Sequence, residues 1–506
     1  MMKKPYFLIP DNPGYAGLAT TVYSRHDDFC NEISGLLRNE NNHCINYYSI
    51  EKQGFVELIC CIADDTQNTL RVYISNVFQR ETPLISLTST FPQMHIFERE
   101  IYENHGIAFE GHPWLKPVRY AFNRFDNKVE MSGYPFYLID SEELHEVGVG
   151  PVHAGVIEPG HFRFICNGEK VLHLEIQLGY QHRGIERLLA VSGDPLKRSV
   201  LSESIAGDSV VAHSLAHVQL MESLAGIDVP EKLQIERCMA LEMERIAVHI
   251  GDTAALCGDV AYQLGQVVCE ALRTMVINTT QLWCGNRFGK GLIRPGGTYY
   301  PLDIGMHGSV LKTLAEVESR FSGIAERIYS LPSVLARFED IGQVTRSQAL
   351  SVGAVGMAAR TCGIPRDIRV THPFQYFRKY NIETITLESG DVLARGLLRA
   401  KEVSSSCKII NDLAEAWKNT DGKPGRPVYD YSLRPDSFSV SMVEGWRGEI
   451  CHSAVTGSSG DIINYKVKDP SLHNWMALAL AVRNQEISDF PVCNKSFNLS
   501  YCGHDL

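Results

Sequence analysis

Four stretches of this sequence, 200–224, 235–256, 262–283 and 309–329, carry apolar residues at helical spacing. At about 1.5 Å of rise per residue each is long enough for several turns. Helices of that length bury their apolar stripes against one another, so the middle of the chain is expected to be a helix bundle. A further helix is expected over 393–415. Strand signals flank the bundle: 162–166 and 170–177 read as a two-stranded ribbon with Asn167-Gly168 as its turn, and 446–455 with 461–468 as a second strand pair. The first hundred residues look like a small α/β unit, with strand-like content over 46–63 and Leu70-Arg71-Val72-Tyr73-Ile74-Ser75. A helix with one charged face starts at His95 and stops before Gly106 and Pro113. The acidic run 140–146, with Gly and Pro around it, marks a linker. The expected class is α+β: an α/β domain over 1–125, a linker over 126–149, and a mainly helical domain with short β pieces over 150–506.

Composition narrows the function classes. Forty-eight basic against 59 acidic residues give a net charge of −11, and no basic block forms a nucleic-acid footprint, so nucleic acid is not expected as a partner. No apolar run reaches the roughly 18–20 residues that span a bilayer, and Asp11, Asn12 and Pro13 interrupt any signal-peptide core, so the chain is expected in the cytoplasm. Fourteen cysteines include no Cys-x-x-Cys, and they read as small buried apolar residues.

Three candidate motifs fail on their chemistry. Gly148-Val149-Gly150-Pro151-Val152-His153 lacks the third glycine of a dinucleotide fingerprint. Gly285-Asn286-Arg287-Phe288-Gly289-Lys290-Gly291 lacks both the four-residue gap and the Ser or Thr of a P-loop. Neither NAD nor ATP is expected to bind. His213 and His217 stand four apart and could face one metal, but no zincin Glu or third ligand accompanies them, so core or interface histidines are expected.

Two longer constellations are more specific. One runs from Phe91-Pro92-Gln93-Met94-His95 through Glu98-Arg99-Glu100 to Gly111-His112-Pro113. The other runs from Gly150-Pro151-Val152-His153 through Glu158-Pro159-Gly160-His161 to His182-Arg183-Gly184-Ile185-Glu186. Together they resemble the thirty-kilodalton type of respiratory complex I subunit fused to the forty-nine-kilodalton type, the [NiFe]-hydrogenase-like large subunit. Arg294-Pro295-Gly296-Gly297, Ala359-Arg360-Thr361, Arg447-Gly448-Glu449 and Asp469-Pro470-Ser471-Leu472-His473-Asn474-Trp475 extend the likeness over nearly the whole chain. The fusion is most similar to the hydrogenase-4 and formate hydrogenlyase large-subunit family. The resemblance implies that the smaller complex I-type domain comes first and the hydrogenase-like one follows.

In hydrogenases of this family four cysteine thiolates hold nickel and iron. The resemblance puts Ala206, Ser209, Ser500 and Gly503 at those positions, so no Ni–Fe site is expected, and this chain is expected to bind no cofactor itself. Cys493 and Cys502 offer the nearest alternative thiols, nine residues apart. Where complex I binds quinone, His153 matches one histidine, Ile157 stands at a second, Asp259 matches the acidic partner and Gly207 replaces a tyrosine. The match to the quinone site is thus partial, and it leaves quinone open as a ligand. Glu186 matches a proton-transfer carboxylate. Each has a plainer reading: His153 as a loop histidine, Asp259 as a helix cap, Glu186 as a partner of Arg183 or Arg187, and Arg294, Arg360 and Arg447 as structural ion-pair partners.

The resemblance implies an electron-transfer subunit of a membrane-associated NADH:quinone oxidoreductase-type complex. An iron–sulfur small subunit holding [4Fe–4S] would dock near His153 and Glu186, and antiporter-like membrane subunits would anchor the assembly at the inner face of the cell membrane. An active hydrogenase-4-type enzyme and a redox-inactive coupling subunit are the rival readings.

Overall fold

The computed structural model describes residues 5–18, 23–155 and 157–506. The chain opens with β1 (Tyr6–Ile9), β2 (Gly14–Gly17), β3 (Tyr23–Ser24) and α1 (His26–Leu37), and three long strands follow, β4 (Asn42–Lys52), β5 (Phe55–Asp64) and β6 (Thr69–Val77). The sheet order is β1-β6-β5-β4, with β3 beside β6. β5 is buried on both faces, which is why Leu58-Ile59-Cys60-Cys61-Ile62-Ala63 is a continuous apolar run without alternation. A short parallel pair, β7 (Leu84–Ile85) and β8 (Phe109–Glu110), brackets α2 (His95–His105). α2 ends where Gly106 takes φ +71° and its amide bonds the Tyr102 carbonyl.

The segment expected as a linker ends in a strand. β9 (His145–Val149) pairs with β10 (His161–Asn167), and β10 with β11 (Lys170–Gln177), so the expected ribbon has three strands. The helices α3 (Ile185–Val191), α4 (Pro195–Ser202), α5 (Val210–Ala225), α6 (Glu231–Asp259), α7 (Gln263–Cys284) and α8 (Ile304–Ile328) form the expected bundle. The helix expected over 200–224 is broken in two. Gly207 and Asp208 are poor helix formers, and Trp446 Nε1 holds the Asp208 carbonyl at 2.8 Å, outside any helix. Four short helices, α9 (Pro332–Phe338), α10 (Arg346–Ser351), α11 (Met357–Arg360) and α12 (Ile368–Thr371), lead to α13 (Val392–Asn419), which packs along α6.

The expected second strand pair is a meander of three, β12 (Ser437–Glu444), β13 (Glu449–Thr456) and β14 (Ile462–Lys468), with Trp446 in the tight turn between β12 and β13. β2 adds to its edge beside β12, so the start of the chain is stitched into the C-terminal unit. The Asn12 amide reinforces this by donating to the His372 and Met442 carbonyls. α14 (Ser471–Val482), α15 (Phe490–Phe497) and α16 (Tyr501–Asp505) close the fold. Thirteen of the fourteen cysteines are buried and Cys502 is half-buried, as small apolar residues should be. Among the described residues no helix is long and apolar enough to cross a membrane.

Candidate functional site

The break between α4 and α5, the β12–β13 turn, the segment after β14 and the start of α16 converge on one buried polar centre. Ser500 caps α16: its hydroxyl accepts from the Gly503 amide at 2.8 Å, and its own amide donates to Ser471 Oγ at 2.9 Å. Asp469 turns its Oδ1 onto the Ser471 amide, 2.8 Å away. A Cβ on Gly503 would stand 2.8 Å from Asp469 Oδ2 and 2.8 Å from Ser500 Oγ, so only glycine fits there without movement. Ala206 and Ser209, at the α4–α5 break, are buried as well.

Arg447 ties the centre together. Its guanidinium grips Asp208 with two bonds of 2.7 and 2.6 Å, donates to the Asn498 carbonyl at 2.5 Å, and reaches Ser209 Oγ at 3.3 Å. Burial alone would lower the Arg447 pKa, but Asp208 outweighs it and keeps the group firmly charged. Asn498 in turn donates to Asp252, which is paired with Arg399 at 2.9 Å.

Behind Asp469 lies a row of buried rings. Asp469 Oδ2 stands 3.1 Å from His213 Nε2, and His213 Nδ1 stands 3.1 Å from His452 Nε2. His452 Nδ1 is 2.8 Å from the Tyr465 hydroxyl, which is 2.9 Å from His217 Nδ1. His213 and His217 are thus core histidines, and among the described residues no group of three or more His, Cys, Asp or Glu could hold a metal ion. Sequence reasoning does not single out His452 and Tyr465, because on their strands they read as ordinary alternating residues.

The expected site residues fall around this centre and are not brought together. His153 lies on the β9–β10 loop, where Nε2 donates to the Gly160 carbonyl at 2.8 Å. That loop rests on α16, with Gly160 against the Tyr501 ring and Glu158 facing Cys502. Ile157 is exposed, and His161 bonds the Gly150 carbonyl at 3.0 Å. Asp259 is exposed at the last turn of α6 with Lys495 facing it, and no bond joins it to His153 among the described residues. It does not back His249 either. Ten helical residues separate them by about 15 Å, and His249 is bound to Glu402 at 2.8 Å.

Glu186 accepts from the Val467 amide at 2.9 Å and pairs with Lys466 at 3.0 Å, in place of the expected Arg183 or Arg187. Arg183 instead holds backbone carbonyls of Ser204, Ile205 and Cys502. Arg294 pairs with Glu203 at 2.5 Å and Arg360 with Glu402 and Glu444 at 2.7 and 2.6 Å, the structural roles expected of them.

Residues 24–130 match the family described as respiratory-chain NADH dehydrogenase, 30 Kd subunit, and residues 259–505 match the 49 Kd subunit of the same enzyme. The chain fuses a 30 kDa-type and a 49 kDa-type complex I domain. Hydrogenase-4 component G of Escherichia coli (strain K12) is 25% identical over 514 residues, covering 98% of this chain and 86% of its own length. Formate hydrogenlyase subunit 5 of the same organism is 27% identical over 70% of this chain, which spans 62% of that subunit. The NADH-quinone oxidoreductase protein of Phocaeicola vulgatus designated C/D is 24% identical over 92% of each chain.

The two complex I-type domains meet through buried charge. Lys468 and Glu449 of the C-terminal domain pair at 2.6 Å, and Glu449 reaches His43 of the N-terminal domain at 2.7 Å. His43 faces Asp65 at 3.5 Å, and Asp65 is held by Arg366 at 2.7 Å. A second seam joins Glu100 and Arg119 of the N-terminal domain to Lys466 and Glu186, and these groups with Phe122 and His182 line a cavity of about 340 Å³.

Proposed function

We propose that this chain is a peripheral subunit of a membrane-associated complex I-type oxidoreductase complex, serving electron transfer without a Ni–Fe centre of its own. The observation that carries the reading is the chemistry at the four positions where the resembled hydrogenases hold metal. Ala206 presents a methyl group and Gly503 a hydrogen, while the Ser209 and Ser500 hydroxyls already accept from Arg447 and the Gly503 amide. Nickel and low-spin iron call for soft thiolates, so the group does not fit these residues. Cys493 and Cys502 do not rebuild the set. Cys493 lies beside Gly342 and Arg395, whereas Cys502 faces Ser500 and Glu158, and burial raises both thiols, to about 12 and about 11.

The relatives are named as components or subunits, which supports partner chains for this one. A small subunit holding [4Fe–4S] on its own cysteines would carry the electrons, and antiporter-like membrane subunits would anchor the assembly. Exposed apolar side chains support docking beside Glu186 and His153. Phe122 is 67% exposed and Val191 69%, both on the rim of the Glu186 cavity, and Val152 on the His153 loop is 77% exposed. A quinone headgroup would need partners that the fold holds apart: Gly207 has no hydroxyl, Asp259 stands at the end of α6, and His153 Nε2 is committed to Gly160.

The purified complex tests the reading. Metal analysis is expected to find iron from the partner and no stoichiometric nickel, and reduced dye is expected to release no hydrogen. Stoichiometric nickel or gas release would overturn it in favour of an active hydrogenase. Unchanged electron transfer to a soluble quinone after His153→Ala combined with Asp259→Asn would favour the redox-inactive coupling subunit instead.

A further inference from the structure

The row from Asp469 to His217 obeys a strict donor–acceptor logic. A carboxylate only accepts, so His213 Nε2 must carry a hydrogen. If His213 is neutral, its Nδ1 accepts from His452 Nε2–H, His452 Nδ1 accepts from the Tyr465 hydroxyl, and the Tyr465 oxygen accepts from His217 Nδ1–H. If His213 is an imidazolium, every one of these bonds reverses: His213 Nδ1–H donates to His452, His452 Nδ1–H to Tyr465, and Tyr465 O–H to His217 Nδ1. Both patterns satisfy the same four distances. They differ by one proton, and both leave His217 Nε2 as the end atom, which is buried and without a partner among the described residues.

We infer that this row is a one-proton relay and store, linking His217 to an ion pair of His213 and Asp469. A proton taken from water forms a bond to His217 Nε2, and the Nδ1 hydrogen of His217 passes to the Tyr465 oxygen. The hydroxyl hydrogen passes to His452 Nδ1, and the Nε2 hydrogen of His452 passes to His213 Nδ1. Four bonds to hydrogen form and four break, three within the row and one in the hydronium that supplies the proton, and the added charge comes to rest on His213 against the Asp469 carboxylate; release retraces the path to water. The surroundings favour this resting place. At the His217 end burial, joined by Arg198 of α4 and Arg294, opposes a charge and holds that imidazole down to about 3. Burial, His213 and His217 likewise keep His452 neutral. At the other end burial would raise Asp469, but the bond from His213, with Arg447 nearby, holds it ionised. The inference goes beyond the proposed function, since it requires neither a particular electron carrier nor an acceptor.

Selective ¹⁵N labelling of histidine in the full chain tests it, because imidazole nitrogen shifts report both tautomer and charge. Over the pH range in which the chain stays folded, His213 is expected to change from doubly protonated to Nε2–H as the row gives up its proton. In the same step His452 changes from Nδ1–H to Nε2–H, and His217 from Nε2–H to Nδ1–H, all with one midpoint. Tyr465→Phe keeps the ring and removes only the hydroxyl that joins His217 to His452, and it is expected to stop His213 and His452 from switching with His217. A row fixed in one pattern throughout the range, or His213 titrating while either neighbour keeps its tautomer, overturns the inference. So does a Tyr465→Phe chain in which His217 still switches with the others.

Discussion

The Asp469 carboxylate fills the space that a side chain at Gly503 would need, with Oδ2 only 2.8 Å from where a Cβ would stand. A thiol placed there must displace either Asp469, which is bound to His213 and the Ser471 amide, or the Ser500 hydroxyl that caps α16. Gly503→Cys is therefore expected to destabilise the chain by about 1–3 kcal/mol, the usual cost of overpacking a closed core. Denaturant unfolding measures it, and an unchanged midpoint would show that the centre is softer than its contacts imply.

Arg360 is fully buried between Glu402 and Glu444. Arg360→Met would take from Glu444 its buried ion-pair partner and from Glu402 one of three, His249 and Arg245 remaining, and the expected loss is about 3–5 kcal/mol. Arg320 pairs with Glu316 on an exposed turn of α8, and Arg320→Met should cost no more than about 0.5 kcal/mol. Comparing the two variants by chemical unfolding separates buried from exposed pairing within one protein.

Much of this architecture is legible in the sequence because it is local. The periods of α6 and α7 mark them, and Gly106 marks the end of α2. What the sequence hides depends on distant partners. β2 is four residues long and pairs with a strand more than four hundred positions away, so nothing near Gly14 announces it. The interruption at Gly207-Asp208 lies inside an otherwise helical pattern and is fixed by Trp446, Arg447 and Glu244 from elsewhere. At the site, the likeness alone draws attention to Ala206, Ser209, Ser500 and Gly503. The spacing of His213 and His217 shows that one helix face carries both, but not that His452, Tyr465 and Asp469 complete a row. Among the described residues no histidine is bonded to Asp259, and a match in position says nothing about which way the end of a helix faces.

The domain junction is expected to respond to pH through His43. Burial and Arg366 oppose its protonation, but Asp65 and Glu449 outweigh them and raise its pKa above the ordinary value. A raised histidine contributes its full stabilisation below about 6.5 and loses it as pH climbs through the raised value. Asp65 and Glu449 are held low despite burial, chiefly by His43 and Arg366 for the first and by Lys468 and His43 for the second. Their contribution is present above the ordinary carboxylate range and fades as pH falls. Thermal midpoints measured from pH 5.5 to 9 at fixed ionic strength should decline on the alkaline side, and His43→Gln should flatten that decline. A wild-type slope identical to the variant's would remove His43 from the junction's pH response.

The proposed function makes the surface beside Glu186 the expected seat of an iron–sulfur partner. Phe122 packs on His182 at 5.1 Å yet stays largely exposed, and Val191 stands at the end of α3 on the same cavity rim. Large apolar side chains in that arrangement are stabilised only when a partner covers them. Val191→Asp with Phe122→Ser is expected to lower the iron–sulfur protein recovered with this chain at least tenfold, a loss of about 1.4 kcal/mol or more in association. The folding of the chain itself should hardly change, since both side chains already face water. Full recovery of the partner with the doubly substituted chain would move the docking surface elsewhere, and an equal loss of folding stability would assign these residues to the core.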